Sequence, residues 1–109
     1  MPYIVRKINN KIYNGNTHSL VEATRQGREE LVRQILDNGA NINSQDRNGM
    51  SSLMFAAKNG DTEMVRLLLN YNPDLNLNEF NTGNTAILLA KKNNHREVVE
   101  LLKKAGATE

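Results

Sequence analysis

The sequence feature that most constrains the fold is the stretch from Gly49 to Asn76, where two short apolar segments flank the pair Asn59-Gly60. The apolar residues of each segment recur at the spacing of one helix face, and an Asn-Gly pair commonly marks a turn. The pattern predicts two short helices folded back on each other. Because such short helices cannot bury their apolar faces alone, other parts of the chain must supply the missing contacts.

The same pattern recurs on both sides of this stretch. Shifts of about 33 residues backward and about 34 residues forward, which are typical of one repeat class, align Leu53 with Leu20 and with Ile87. The same frames align Ala56 with Ala23 and Ala90, Val65 with Val32 and Val99, and Leu68 with Ile35 and Leu102. The extra residue of the forward shift falls near 78–82, in a polar connector, where insertions in a repeat array are expected.

The pattern resembles the ankyrin repeat, in three copies from Asn14 to the C-terminus. The middle copy matches the family signature best, at Gly49, Leu53, Ala56, Ala57, Gly60, Glu63, Val65, Leu67, Leu68, Leu69, Asp74 and Asn76. The resemblance implies an all-α solenoid of three helix-turn-helix repeats with projecting hairpin-like fingers. Its repeats would cover about 14–46, 47–80 and 81–109.

The alignment also predicts helix bounds and helix caps for individual copies. The first copy is predicted to pair a helix at about His18 to Gln26 with one at about Glu29 to Asp37. No copy has the complete Thr-Pro-Leu-His tetrad of the family, so Ser51 and Thr85 are expected to cap their helices, with His18 as a poorer cap in the first copy.

Asparagine replaces glycine at two turn positions, since Asn72 aligns with Gly39 and Asn94 with Gly60. Asparagine tolerates the left-handed backbone conformation that these turns need. Because a residue before proline favours extended backbone, we expect the turn at Asn72-Pro73 to differ from its counterpart in the first copy.

Polar residues replace apolar ones in the outer copies. Gln34 stands where the middle copy has Leu67, Lys91 where it has Ala57, and Lys103 where it has Leu69. This is the pattern of end repeats with one solvated face, from which an array complete at three copies is expected.

Residues 1–13 do not fit the repeat. The segments Tyr3-Ile4-Val5 and Lys11-Ile12-Tyr13 flank Asn9-Asn10, which suits a tight turn. Two alternatives stand, a small β-hairpin or extended cap on the first repeat and a frayed tail.

The charge pattern and hydropathy of the chain limit the kinds of partner that are expected. The 14 basic residues are interleaved with 12 acidic ones, without a run of five like charges, so nucleic-acid binding is not favoured. Local excesses of basic residues occur at Arg6, Lys7 and Lys11 and at Lys91, Lys92, Arg96, Lys103 and Lys104. Their expected role is solubility, and the alternative is electrostatic binding of nucleic acid or an acidic partner. Without a membrane span or signal-peptide core, a cytoplasmic monomer is expected.

Catalytic and metal-binding motifs are missing from the sequence. There is no cysteine, and the two histidines are His18 and His95, of which His95 is expected to hydrogen bond within a turn. The pairs Glu29-Glu30 and Glu97 with Glu100 have no histidine or cation arranged for a metal site. No phosphate-binding Gly-x-x-x-x-Gly-Lys or nucleophile Gly-x-Ser-x-Gly occurs. We expect no enzymatic activity, catalytic residue, cofactor or metal.

The resemblance implies a concave face, made of the fingers and first helices, that binds another protein. Matching by position selects Gln45, Arg47, Asn48 and Met50 on the first finger, Asn81, Thr82 and Asn84 on the second, and Arg25, Gln26, Lys58 and Asn59 on the helices. Phe80 is added as a candidate anchor because aromatic residues are frequent hot spots, and its alternative role is packing along its own finger. The expected function is that of an interaction scaffold, or alternatively of an accessory subunit in a larger assembly. The fold does not identify the partner.

Overall fold

The computed structural model describes residues 6–8, 11–13 and 17–108. Within these ranges two short strands are followed by six helices. The strands are β1 (Arg6–Ile8) and β2 (Lys11–Tyr13), and the helices are α1 (Thr17–Arg25), α2 (Glu29–Asp37), α3 (Ser52–Asn59), α4 (Thr62–Leu69), α5 (Ala86–Lys92) and α6 (Arg96–Lys104). None of the described helices is long and apolar enough to cross a membrane.

The two strands pair antiparallel, with Lys7 opposite Ile12. This pairing agrees with the β-hairpin, which was one of the alternatives predicted for the N-terminal segment. Tyr3, Ile4, Val5 and the predicted turn at Asn9 and Asn10 lie outside the described residues. That the pair covers the first repeat stays a prediction.

The helices form two rows that share one core. Each repeat contributes a helix pair, α1 with α2, α3 with α4 and α5 with α6. Along the stack, α3 packs between α1 and α5, and α4 packs between α2 and α6. The aligned residues Leu20, Leu53 and Ile87 are at most 2% exposed and belong to one buried cluster. We call α1, α3 and α5 the inner helices and α2, α4 and α6 the outer helices.

The turn inside each repeat has the same geometry in all three copies. Gly27, Gly60 and Asn94 have φ of 71°, 71° and 63°. In the middle copy the N–H of Gly60 donates to the carbonyl of Ala57 at 3.2 Å, and the equivalent N–H of Asn94 donates to Lys91 at 3.1 Å. The prediction that asparagine replaces glycine in the left-handed region is confirmed here.

The turn after α4 also keeps its left-handed residue. Asn72 has φ 53°, and its N–H donates to Leu69 just as the N–H of Gly39 donates to Leu36. The predicted difference between the two turns is therefore limited. In the first repeat the N–H of the residue after Gly39, Ala40, donates to Ile35 at 3.3 Å. Pro73 takes that place in the second and has no N–H to donate.

Two of the three predicted caps are confirmed. The hydroxyl of Ser51 accepts from the N–H of Met54 at 3.3 Å, and that of Thr85 accepts from Leu88 at 3.5 Å. The expectation for His18 is wrong, because α1 already begins at Thr17 and places His18 inside its first turn.

Candidate partner-binding surface

The first finger is a tight hairpin closed by Asp46. The N–H of Asp46 donates to the carbonyl of Met50, and the N–H of Gly49 donates to that of Asp46, both at 2.9 Å. The Asp46 carboxylate accepts from the N–H groups of Asn48 and Met50, also at 2.9 Å. A carboxylate that binds two backbone N–H groups fixes the turn and holds the neighbouring Arg47 in solvent.

The second finger has the same base and a longer tip. The N–H of Glu79 donates to the carbonyl of Asn84 at 2.9 Å, and the N–H of Gly83 donates to that of Glu79 at 2.8 Å. The second of these bonds spans one residue more than its counterpart in the first finger. The Thr82 hydroxyl donates to the Glu79 carboxylate at 2.8 Å and accepts from the N–H of Asn84 at 3.2 Å. The insertion predicted from the repeat spacing therefore lies in the tip of this finger.

Hydrogen bonds join the two fingers to each other. The N–H of Phe80 donates to the carbonyl of Asn48 at 3.0 Å, and the amide of Gln45 donates to the carbonyl of Asn78 at 3.0 Å. A Cβ on Gly49 would lie 2.8 Å from the backbone nitrogen of Phe80 and 2.9 Å from the carbonyl oxygen of Asn78. Glycine is thus required at position 49 because the second finger lies directly on its backbone.

Phe80 is anchored by its backbone while most of its ring faces solvent. The ring contacts Gly49 of the first finger along one edge, where a Cβ on Gly49 would lie 2.8 Å from Cδ1. The residue is still 63% exposed. Its packing partner is therefore the preceding finger, and most of its apolar surface remains open to solvent.

The inner helices contribute a second group of exposed polar residues near their C-terminal ends. Arg25 extends over the ring of Phe55 at 5.6 Å from its centroid, a cation–π contact between α1 and α3. The Glu22 carboxylate accepts from Arg25 at 3.2 Å and from Gln26 at 2.9 Å. These contacts fix Arg25 and Gln26 against the inner helices.

Phe55 was not among the residues predicted from the sequence. It is half-buried and lies three residues before Lys58 on α3, which places the two on one helix face. In the repeat alignment, Phe55 is equivalent to Glu22 of the first repeat. Helical spacing from Lys58 was the signal that could have found it.

His95 supports the end of α3 that carries Lys58. Its Nε2 lies 3.0 Å from the carbonyl oxygen of Lys58, and because a carbonyl can only accept, Nε2 donates. The ring stacks on Gly60, where a Cβ would collide with it. The prediction that His95 hydrogen bonds at a turn is confirmed, and the turn belongs to the preceding repeat.

Nine of the twelve sequence-predicted site residues are exposed, and they come from both fingers and two inner helices. We call them the finger–helix surface: Arg25, Gln26, Arg47, Asn48, Lys58, Asn59, Phe80, Asn81 and Thr82.

The other three predicted residues have internal roles. Met50 is 4% exposed and belongs to the core cluster, and Asn84 is 8% exposed at the base of its finger. The Gln45 side chain is half-buried and bonds to the carbonyls of Gly49 and Asn78. Alignment identifies a finger position but not the side of the hairpin that its side chain occupies, so we leave these three out of the surface.

A cavity of about 400 Å³ lies beside α5 and α6, and no residue of the finger–helix surface lines it. Its lining includes Asn94 and His95, which are the register equivalents of Gly60 and Asp61. At the junction between the second and third repeats, the space over Gly60 is filled by the His95 ring. The cavity therefore lies on the third repeat at the position where the second repeat is covered by the His95 ring. In the part of the chain that the structure describes, no three histidine, aspartate or glutamate residues are grouped so as to hold a metal ion.

The comparison with protein families agrees with this architecture. The model for ankyrin repeats matches residues 20–108 as three copies. The comparison with curated proteins gives no match. Ankyrin repeats are generally protein–protein interaction modules and are typically non-enzymatic. The extent of the family match, together with three stacked helix pairs and two projecting fingers, shows that the chain belongs to the ankyrin repeat family.

Proposed function

We propose that this chain is a non-enzymatic module that binds another protein through the finger–helix surface. The observation that carries the proposal is the exposure of Phe80. It is the one large apolar side chain that is exposed among residues 20–108, at 63%. Covering the exposed part of this side chain is worth roughly 1–2 kcal/mol. An aromatic residue surrounded by polar neighbours is a frequent hot spot of protein interfaces.

The support beneath Phe80 favours binding over accidental exposure. Its N–H is held by the carbonyl of Asn48, and its ring edge rests on Gly49. The finger is further tied to the first through Gln45. Because the anchor is already ordered, a partner would not have to immobilise the finger, which lowers the entropic cost of association.

Affinity capture tests the proposal. The intact chain would be used to capture proteins from an extract of its source, and so would a triple variant carrying Phe80→Ala, Arg47→Ala and Lys58→Ala. A control variant, Arg96→Ala with Lys104→Ala, removes two exposed cations from α6 instead. We expect specific partners to be retained by the parent and the control and lost with the triple variant, while the far-UV circular dichroism of all three stays the same.

Single substitutions then show how much each of these side chains contributes to binding. Phe80→Ala should reduce affinity for a captured partner by about tenfold or more, as expected for removal of an anchor. If the triple variant captures the same proteins in the same amounts as the parent, the partner binds elsewhere and the proposal is wrong.

A further inference from the structure

The charges of this protein are divided unequally between its inner and outer parts. The inner helices and fingers carry five cations, Arg25, Arg47, Lys58, Lys91 and Lys92, and four carboxylates, Glu22, Asp46, Asp74 and Glu79, while Arg28 and Asp61 lie in turns between inner and outer helices. The outer helices carry five cations, Arg33, Arg66, Arg96, Lys103 and Lys104, and six carboxylates, Glu29, Glu30, Asp37, Glu63, Glu97 and Glu100. The side of the molecule that bears the finger–helix surface is therefore the more positive one.

The four inner carboxylates are occupied by internal hydrogen bonds. Glu22 accepts from Arg25 and Gln26, and Asp46 accepts from backbone N–H groups of its own finger. Glu79 accepts from the Thr82 hydroxyl, and Asp74 accepts from the N–H of Asn76. Apart from the bond between Glu22 and Arg25, none of these contacts neutralises an inner cation.

Several inner cations consequently lack an acidic partner. Within the described residues, Arg47, Lys58 and Lys92 form no ion pair. The arginines of α2 and α4 behave differently, because Arg33 pairs with Glu30 and Arg66 pairs with Glu63. Arg96 and Lys104 of α6 also form no ion pair within the described residues, so unpaired cations lie on the inner helices, the first finger and α6.

Three of the inner cations occupy equivalent positions in successive repeats. Arg25, Lys58 and Lys92 lie in the last turns of α1, α3 and α5, and we call them the cation row. Arg25 also pairs with Glu22, but 55% of its side chain remains exposed. Packed helices lie about 8–10 Å apart, so the whole row is roughly 20 Å long. A polyproline II segment advances about 3.1 Å per residue with three residues per turn, so residues three apart lie on one face and roughly 9 Å apart, which is the step of one repeat.

We propose that the partner contributes an acidic segment in the polyproline II conformation, with carboxylates three residues apart that lie on one face and contact the cation row. This inference rests on the proposed function and specifies the chemistry of the partner. A nucleic acid fits less well. Phosphates along one strand recur about every 3.4 Å, and tight binders neutralise about 6–10 of them, far more than one short row can contact.

Two synthetic peptides of identical composition test the spacing. One has three glutamates separated by pairs of serines, and the other has the same glutamates adjacent to each other among the same serines. Binding of each to the intact ¹⁵N-labelled chain would be followed by two-dimensional NMR at low salt, because isolated surface ion pairs are weak. We expect the spaced peptide to bind about fivefold more tightly and to shift the amides around Lys58 and Lys92.

Variants and a polyanion control complete the experiment. The double variant Lys58→Gln with Lys92→Gln should weaken binding of the spaced peptide by about fivefold, whereas Arg96→Gln with Lys104→Gln on α6 should leave it unchanged. Equal affinity for both peptides, binding of neither, or tighter binding of a single-stranded oligonucleotide of equal charge would overturn the inference.

The outcome can be separated from that of the proposed function. If captured proteins are lost with Phe80→Ala but kept with Lys58→Gln and Lys92→Gln, the finger–helix surface binds its partner without using the cation row. The proposed function then stands and the inference about acidic segments fails. If neither variant loses the captured proteins, both are wrong.

Discussion

Replacement of Gly60 by alanine tests how the second and third repeats are joined. Gly60 has φ +71°, a conformation that costs alanine about 1–2 kcal/mol. An added Cβ would also lie 2.6 Å from Cε1 and 2.8 Å from Cγ of His95. The ring must therefore move away and give up its hydrogen bond to Lys58, which adds about 0.5–1.5 kcal/mol. We expect the free energy of unfolding to fall by about 1.5–3.5 kcal/mol in total.

Gly27→Ala is the matched control for this substitution. Gly27 has the same φ of 71°, but its added Cβ would meet only the Asp61 carboxylate, at 3.8 Å. It should therefore lose the backbone contribution alone, about 1–2 kcal/mol. Urea denaturation followed by far-UV circular dichroism gives both values, provided that the slopes of the transitions agree.

A double-mutant cycle isolates the contribution of the ring. In a His95→Ala background, Gly60→Ala should cost no more than Gly27→Ala, because the group that a Cβ would displace has gone. Equal losses for the two glycine variants when His95 is present would refute the idea that the ring requires a bare glycine. So would an excess loss at Gly60 that persists without His95.

Substitutions at four further positions test other parts of the structure by the same denaturation assay. Leu68→Ala removes a side chain that is 0% exposed and should cost about 2–5 kcal/mol, so a parent-like midpoint would contradict the assigned core. Ser52→Ala should stabilise the protein by about 1 kcal/mol, because among the described residues the Ser52 hydroxyl is buried without a hydrogen-bond partner, and a loss would indicate that it has one. At Asn94, φ 63° predicts that alanine costs about 1 kcal/mol while glycine is nearly neutral, and equal losses would be inconsistent with a left-handed backbone. Burial, followed by its hydrogen bond to Asp37, raises the pKa of the Tyr71 phenol above 10.0. The folded state then keeps this proton to higher pH than the unfolded state does, so stability should fall as the pH rises above 10.0 and through the raised pKa, and Tyr71→Phe should show a smaller fall than the parent.

The repeat architecture could be predicted from the sequence because its apolar spacing recurs about every 33 residues and resembles that of a known repeat family. The spacing that aligns Leu20, Leu53 and Ile87 predicted three helix pairs with one core, and the bounds of α2 agree with those expected. Ser51 and Thr85 could be assigned as caps because capping depends on the residue type at one position.

Features that depend on contacts between repeats could not be predicted in the same way. The stacking of His95 on Gly60 and of the second finger on Gly49 requires knowledge of which backbones approach each other. The burial of Met50 and Asn84 depends on the side of a hairpin that each side chain occupies, which a loop sequence without regular alternation does not reveal. Phe55 was missed because its residue type did not mark it. By composition, a half-buried aromatic residue in an apolar helix cannot be distinguished from a core residue.

The extra residue of the second finger shows where this fold can accommodate an insertion. Both fingers close with a backbone bond at the base, from Asp46 to Met50 in one and from Glu79 to Asn84 in the other, and only the tip above Glu79 is lengthened. Insertions at that point leave the helices and their junctions undisturbed. For the proposed binding function, this means that small changes in loop length can alter the finger–helix surface at little cost in folding stability.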